Sequence, residues 1–309
     1  MSNDAELHEL LTAPPAETRR PVAPGIEPHL YRPVPLLDHG FVRVVDYMGD
    51  DGAIVQAARV SYGRGTRGRL DDRGLIRYLM RHRHTTPFEM CELKLHVKLP
   101  IFVARQWIRH RMANVNEYSA RYSILDREFY VPRPEDVAVQ SASNKQGRGH
   151  ALDDAGALRV LDLLRGDALR AYETYEALLN DDGTGAPVAP ESPQVARELA
   201  RIGLGVNYYT QWYWKIDLHN LLHFLSLRAH PHAQREIRVY AEAIGSIVAD
   251  WVPAAWEAFV DYRMEAASLS RAELAVVRAA LAGADLGPLL EGSSLSPRER
   301  RELLTKLGR

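Results

Sequence analysis

Between Cys91 and Lys98 the chain alternates without a break: Cys91, Leu93, Leu95 and Val97 are interleaved with Glu92, Lys94, His96 and Lys98. A period of two is the strand period, so this segment must give a sheet one buried face and one wet face. Pro100 comes next, and proline suits a helix's first turn, so Ile101 to Met112 reads as a helix leaving the strand. Phe41 to Val45 reads as a second strand and Ile54 to Val60 as a helix, while Asp71 and Asp72 open a helix carrying Leu75, Ile76, Leu79 and Met80 on one face. From about residue 156 the pattern is helical almost throughout. It predicts helices over 156–180, 192–210, 216–228, 232–249 and 253–265, and two short capped ones from Ser270 to Leu281 and from Ser296 to Leu307. Few strands among many helices predict an α+β fold, a small antiparallel sheet packed with a predominantly helical layer.

Residues 1 to about 35 carry seven prolines and no sustained apolar period, which predicts a flexible leader. The expected organisation is therefore a leader over 1–35, a main domain over 36–265 and a helical C-terminal extension over 266–309. The acidic start MSNDAELHELL is no secretory signal, and no apolar run reaches a membrane span, so a cytoplasmic protein is expected. Cys91 is the only cysteine, which excludes an intrachain disulfide. A formal net charge of -1 offers no global attraction to nucleic acid, so arginines that bind phosphate must be gathered locally.

Such gatherings exist. Gln106, Arg109, His110 and Arg111 come at the expected end of the Pro100 helix, and Glu117, Ser119 and Arg121 lie close behind. Ile101, Phe102, Val103, Trp107 and Ile108 surround them, which places the arginines at the rim of a core; the planar guanidinium fork suits phosphate oxygens. Arg201, His219, His223, Arg228 and His232 form a second set within apolar helices, where their desolvation would be offset by an anionic ligand. Gly63 to Gly68 fits GxGxxG letter for letter, but it comes after a helical pattern and holds two arginines, so it reads as a loop and not a dinucleotide fingerprint. His82, His84, His96, His230 and His232 lack the spacing and the carboxylates of a metal site, and no metal is expected. The arginines interleaved with Trp107, Tyr118 and Tyr122 leave a nucleic-acid-binding protein as the alternative class, with a histidine-based metal-dependent phosphohydrolase behind it.

Arg109-His110-Arg111, seven residues and then Ser119 form the RHRx7S signature of flavin-dependent thymidylate synthases. His84 to Glu89, Pro100 to Ile108, Asn116 to Ser123 and Leu227 to Ala229 also resemble that family, in family order, within about residues 36 to 265. The resemblance implies a homotetramer with FAD and dUMP held where subunits meet, and conversion of dUMP to dTMP with NADPH and 5,10-methylenetetrahydrofolate as co-substrates. By position, Ser61, Thr86, Glu89, Arg109, His110 and Arg111 resemble FAD contacts, and His219, His223 and His232 flavin-side positions. Gln106, Arg109, Glu117, Ser119, Arg121, Arg201 and Arg228 resemble dUMP contacts, and His84 the position that helps hold folate and flavin. His219 stands where other members carry arginine, and His223 where some carry asparagine.

Thymidylate synthases of the other kind attack uracil C6 with a cysteine. Cys91 faces the apolar side of its strand with no basic neighbour there to lower its pKa, so a thiolate mechanism is not expected. The flavin would carry the hydride instead, with Arg228, Ser119 and His84 as the residues nearest the chemistry.

Overall fold

The alternating segment becomes the central strand of the sheet. The computed structural model describes residues 8–14, 16–60, 71–142 and 147–309. Five antiparallel strands lie in the order β1-β2-β3-β7-β4, with β1 at Val34–Leu36, β2 at Gly40–Met48, β3 at Glu92–Pro100, β4 at Asn114–Glu117 and β7 at Tyr209–Asp217. A separate ribbon pairs β5, Ala138–Gln140, with β6, Arg148–Ala151. Register sets Val42 opposite Val97 and Val97 opposite Trp212. Val42, Val44, Leu93, Leu95, Val97, Leu99, Trp212, Trp214 and Ile216 thus share one face, and none is more than 2% exposed. The other face is wet at Lys94, as expected, and partly exposed at Glu92 and Lys98, but it departs from that expectation at His96. His96 is buried on it, accepting from Arg43 Nε at 3.0 Å, meeting Gln211 Oε1 at 3.0 Å and stacking on Tyr213 at 4.9 Å. Both ring nitrogens have partners, which makes the burial tolerable.

The main helices are α1 at Asp51–Val60, α2 at Asp72–Arg81, α3 at Ile101–Trp107, α4 at Asp154–Leu179, α5 at Leu218–Arg228 and α6 at Arg235–Trp251. Asp71 caps α2 by accepting from Gly74 N, and Asp217 caps α5 by accepting from Asn220 N at 2.9 Å. Trp107, the last residue of α3, sits fully buried among Trp212 and Trp214 of β7, Phe224 of α5 and Tyr240 of α6, with ring centroids 4.7 to 5.9 Å away. A second core forms where Tyr172 and Tyr175 of α4 meet Leu125 and Tyr208. There Tyr172 donates to Leu125 O at 2.7 Å and Leu125 N donates to Tyr175 Oη at 3.2 Å, fixing the segment just after Ser119.

Several elements differ from the sequence reading. The helix expected over 192–210 is one turn, Arg197–Ala200, and the chain then enters β7. Tyr209, Thr210, Trp212, Trp214 and Ile216 are aromatic or β-branched and fit a half-buried pleat, so pairing with β3 prevails. The helix expected from 216 starts at Leu218, after its Asp217 cap. The helix expected to reach Met112 stops at Trp107, which leaves Arg109, His110 and Arg111 just beyond its end. Within the segment expected to be a flexible leader, Ala23 and Ile26 are buried and Val34–Leu36 is the edge strand. Gly25 lies so close to Asp250 that an added Cβ would stand 1.9 Å from its carbonyl oxygen.

The chain divides into two compact units, Met1–Glu257 and Ala258–Arg309, earlier than the 265/266 boundary expected from sequence. In the second unit Ser270 and Ser296 form capping boxes with Glu273 and Glu299 at the starts of α7, Arg271–Leu281, and α9, Pro297–Lys306. The intervening α8, Leu286–Glu291, has no counterpart in the sequence pattern, and Val276, Leu290, Leu295 and Leu303 form the unit's core. Among the described residues no helix is long and apolar enough to cross a membrane.

Removing a fully buried isoleucine forfeits its transfer free energy and leaves a cavity, so Ile26→Ala should destabilise the protein by about 2–5 kcal/mol. Leu10→Ala, at an exposed position of the same segment, should change stability by less than about 0.5 kcal/mol. Urea unfolding of both variants reads the difference.

Candidate active site

Because Trp107 is locked in the aromatic cluster, the residues after it start from a fixed point. His110 N donates to Trp107 O at 3.0 Å, and the His110 ring meets Phe224 edge-on at 5.0 Å. Arg228, the last residue of α5, donates from Nε to His110 Nε2 at 3.1 Å and from Nη2 to Gln106 O at 3.5 Å. A guanidinium can only donate, so His110 must accept at Nε2 and carry its proton on Nδ1. Burial, then the Arg228 charge and His223, push the His110 pKa down to about 4, in agreement with a neutral ring. Burial also lowers the pKa of Arg228.

Arg109, His110, Arg111, Asn220, His223 and Arg228 rim a concavity of about 430 Å³ with Met112, Ile216 and Leu227 as its apolar lining. Arg109 and Arg111 have no ion-pair partner among the described residues and stand exposed. Cations without counter-charges around an apolar floor suit a ligand that is flat at one end and anionic at the other. Those features fit a flavin dinucleotide.

The other predicted residues fall elsewhere. Glu117, Ser119 and Arg201 line a second concavity of about 340 Å³ together with Thr210. Thr210 is buried and donates from Oγ1 to Glu117 Oε1 at 2.7 Å, which orients the carboxylate. Ser119 Oγ accepts from Arg121 N at 3.3 Å, and among the described residues no histidine or carboxylate is bonded to it. That leaves its hydroxyl free to donate and gives it no base. Arg121 turns to Glu198 at 3.1 Å. His84 and Thr86 line a third concavity of about 670 Å³ beside α1, and Glu89 lies on the same 3₁₀ turn. His232 borders a fourth, about 760 Å³, along the β5–β6 ribbon. The Gln106 side chain pairs with Gln234. His219 is not among the residues around the first concavity, where its neighbour Asn220 stands instead. Ser61 and the Gly63 to Gly68 loop lie outside the described residues. Sequence reasoning misses Thr210, Asn220 and Gln234, because each looks like an ordinary polar residue of a strand, helix or loop.

Cys91 is fully buried, and its thiol donates to Asp50 O at 3.4 Å. Burial, reinforced by Asp50 and Asp51, pushes its pKa up to about 12, so it is not a thiolate near neutrality. Among the described residues no group of three or more His, Cys, Asp or Glu is placed to hold a metal.

An α+β fold with an arginine-rimmed, apolar-floored concavity has the site chemistry of an enzyme for nucleotides or dinucleotides. The sequence profile described as "Thymidylate synthase complementing protein" matches residues 43–254. Proteins named flavin-dependent thymidylate synthase from Ruegeria pomeroyi and Gluconobacter oxydans are 63% and 62% identical to this chain. Each comparison spans 95% of this chain, with 94% and 93% of the respective relatives. The similarity therefore runs into both tails, beyond the 36–265 span of the motif resemblance. Among solved structures, the UMP/dUMP methylase PolB from Streptomyces cacaoi bound with 5-Br UMP superposes with a TM-score of 0.64 at 35% identity, over 74% of this chain and 97% of that one. A second structure of that protein, bound with 5-Br dUMP, gives 0.63 at 35% identity. The chain belongs to the flavin-dependent thymidylate synthase family.

The shifted groups are open to measurement. Iodoacetamide at pH 8 should leave Cys91 unmodified in the native protein and alkylate it in urea, as read by mass spectrometry. His96 and His110 are both held to about 4, whereas histidines of the unfolded chain titrate near 6.5. Between those values the unfolded state binds more protons, so stability should fall as pH drops from 6.5 towards 4, with no contribution from these two groups above 6.5. Urea midpoints measured across that range test the sign.

Proposed function

We propose that this protein methylates dUMP to dTMP, with FAD bound, NADPH as reductant and 5,10-methylenetetrahydrofolate as the one-carbon donor. The balance is simple. The methylene carbon bonds to uracil C5 as its bonds to folate N5 and N10 break, the proton lost from C5 and one more from water end on those nitrogens to give tetrahydrofolate, and one hydride from NADPH completes the methyl group, leaving NADP⁺. When bound, FAD supplies the two-electron chemistry that carries that hydride. The observation that carries the reading is the Arg228–His110 contact inside the arginine-rimmed concavity, with the only thiol buried and protonated.

The chain's own residues bind, orient and polarise. Arg109 and Arg111 hold the FAD pyrophosphate, and His110, His219, His223 and His232 lie towards the flavin. Ser61, Thr86 and Glu89 complete the FAD contacts, and His84 helps hold folate and flavin. Ser119 donates its hydroxyl to the nucleotide, assisted by Arg121 and Arg201, while Glu117 and Gln106 contact the same ligand. Half-buried Arg228 stabilises negative charge developing on the uracil carbonyl and ring nitrogen, where low exposure strengthens a fixed cation. Its bond to neutral His110 fixes the guanidinium without neutralising it.

The active unit is a homotetramer whose sites draw on more than one subunit. Support for this lies in the scatter of the site residues of one chain: Arg109, Arg111 and Arg228 round one concavity, Glu117, Ser119 and Arg201 round a second, and His84 and Thr86 round a third. The complexes of the Streptomyces cacaoi methylase with brominated UMP and dUMP support a uridine monophosphate as the ligand.

The purified protein should be yellow, and NADPH-reduced protein should reoxidise in a dUMP-dependent way with methylenetetrahydrofolate, yielding dTMP. Colourless protein that cannot be reconstituted with FAD would sink the assignment. Arg228→Ala should lower kcat about 10²–10³-fold with FAD retained. Cys91→Ala should still release tritium from 5-tritiated dUMP. Sedimentation should give a particle of four chains of 34.8 kDa each, and a monomer active at full rate would remove the shared-site reading.

A further inference from the structure

Among the described residues of the first unit, the most deeply buried carboxylate has no role in the ligand contacts proposed above. Glu236, in the first turn of α6, is 1% exposed. Its Oε1 accepts from Tyr130 Oη at 3.0 Å and from Arg148 Nη2 of β6, and its Oε2 accepts from Gln234 Nε2 at 2.8 Å. Burial works to raise its pKa, and the Arg148 and Gln234 hydrogen bonds outweigh that, so the group is an ionised carboxylate that can only accept. The carboxylate thereby sets the polarity of a chain of amides. Gln234 must turn its NH₂ to Glu236 and therefore its carbonyl oxygen to Gln106, and Gln106 must answer with its own NH₂. The Gln106 side-chain oxygen is then left with no donor among the described residues. Residue 106 stands beside Arg228, whose Nη2 reaches its backbone oxygen.

We infer that Glu236 is a positioning residue: through Gln234 it holds the Gln106 amide with its oxygen unpaired, as an acceptor for a hydrogen-bond donor on the pyrimidine nucleotide. The inference rests on Gln106 being a nucleotide contact. A uridine monophosphate has two kinds of donor within its nucleoside, the ring imide N3–H and the sugar hydroxyl, and the phosphate oxygens have none at neutral pH. The acceptor therefore reads the nucleoside and not the phosphate.

Glu236→Gln tests the polarity almost without changing shape. Tyr130 and Arg148 both donate, so the new amide must keep its oxygen towards them and turn its NH₂ to Gln234. Gln234 then flips, Gln106 flips in turn, and an N–H replaces the oxygen facing the ligand. The holoenzyme, Glu236→Gln and Gln234→Leu would each be titrated with dUMP, N3-methyl-dUMP and 3′-deoxy-dUMP. The native enzyme should bind one analogue about tenfold more weakly than dUMP, the loss of one hydrogen bond to a buried or half-buried partner. N3-methyl-dUMP identifies the ring and 3′-deoxy-dUMP the sugar. In Glu236→Gln that ratio should shrink to within about twofold while the other analogue's ratio stays unchanged. Gln234→Leu, at an exposed position, removes the orienting partner without reversing it, so the same ratio should fall part of the way while the other stays unchanged, with KM for dUMP raised; an unchanged ratio there overturns the inference if Glu236→Gln does not fold.

A merely structural role for Glu236 would weaken all ligands alike and leave both ratios at their native values, and that result overturns the inference. So does a native enzyme that discriminates against neither analogue. A native protein that binds no dUMP at all would instead remove the proposed function, which keeps the two failures apart.

Discussion

The site depends on the burial of Trp107. A short helix ending in an open loop would leave the next three residues free to wander, and arginines in particular carry much rotamer freedom. Here the indole is enclosed by rings from β7, α5 and α6, so the end of α3 is tied to three other elements at once. Aromatic clusters of this kind add to area burial through edge-to-face geometry. The consequence is electrostatic: Arg109 and Arg111 are delivered to one rim, and Arg228 arrives at the same place from the far end of α5.

Charge in this region is arranged by exclusion as much as by pairing. Many arginines of the first unit are spent on carboxylates, such as Arg77 on Glu257, Arg148 on Glu236 and Arg235 on Asp136. Around the first concavity the partners are different in kind. Arg228 bonds a neutral imidazole and a backbone carbonyl, so its geometry is set while its charge stays available to a ligand. A carboxylate in place of His110 would hold the guanidinium more firmly and cancel the field it offers.

Much of the fold is legible in the sequence where local patterns and local chemistry agree. The alternation from Cys91 to Lys98, the Asp71 cap and the Ser270 and Ser296 capping boxes each require only near neighbours. Only the two ends of β7 fall within the helices expected over 192–210 and 216–228; the stretch between them alternates Trp212, Trp214 and Ile216 with Gln211, Tyr213 and Lys215, but lies between strongly helical neighbours that mask its period. Ile26 gives no signal among the prolines, since one buried residue has no period. His96 and Glu236 look like surface residues: their partners, Arg43 for one and Tyr130 and Arg148 for the other, lie 53, 106 and 88 positions away. For the site, the arginine signature and Ser119 can be read as a string. Their division among separate concavities cannot, because it comes from tertiary placement.

The register of β3 has a kinetic meaning. Val97 pairs with Val42 on one side and with Trp212 on the other, so the central strand waits for a partner 115 residues later, 212 less 97. Arg109, Arg111, Arg121 and Arg201 all lie on the loop that this pairing closes. Long-range closure is entropically expensive and slows folding, which places such a chain among the slower folders for its size. Until β7 docks, Trp107 lacks Trp212 and Trp214 and its arginines have no fixed rim. Ligand affinity should therefore emerge only at the last stage of folding, so bound cofactor would act on the rate of unfolding and leave the rate of folding untouched.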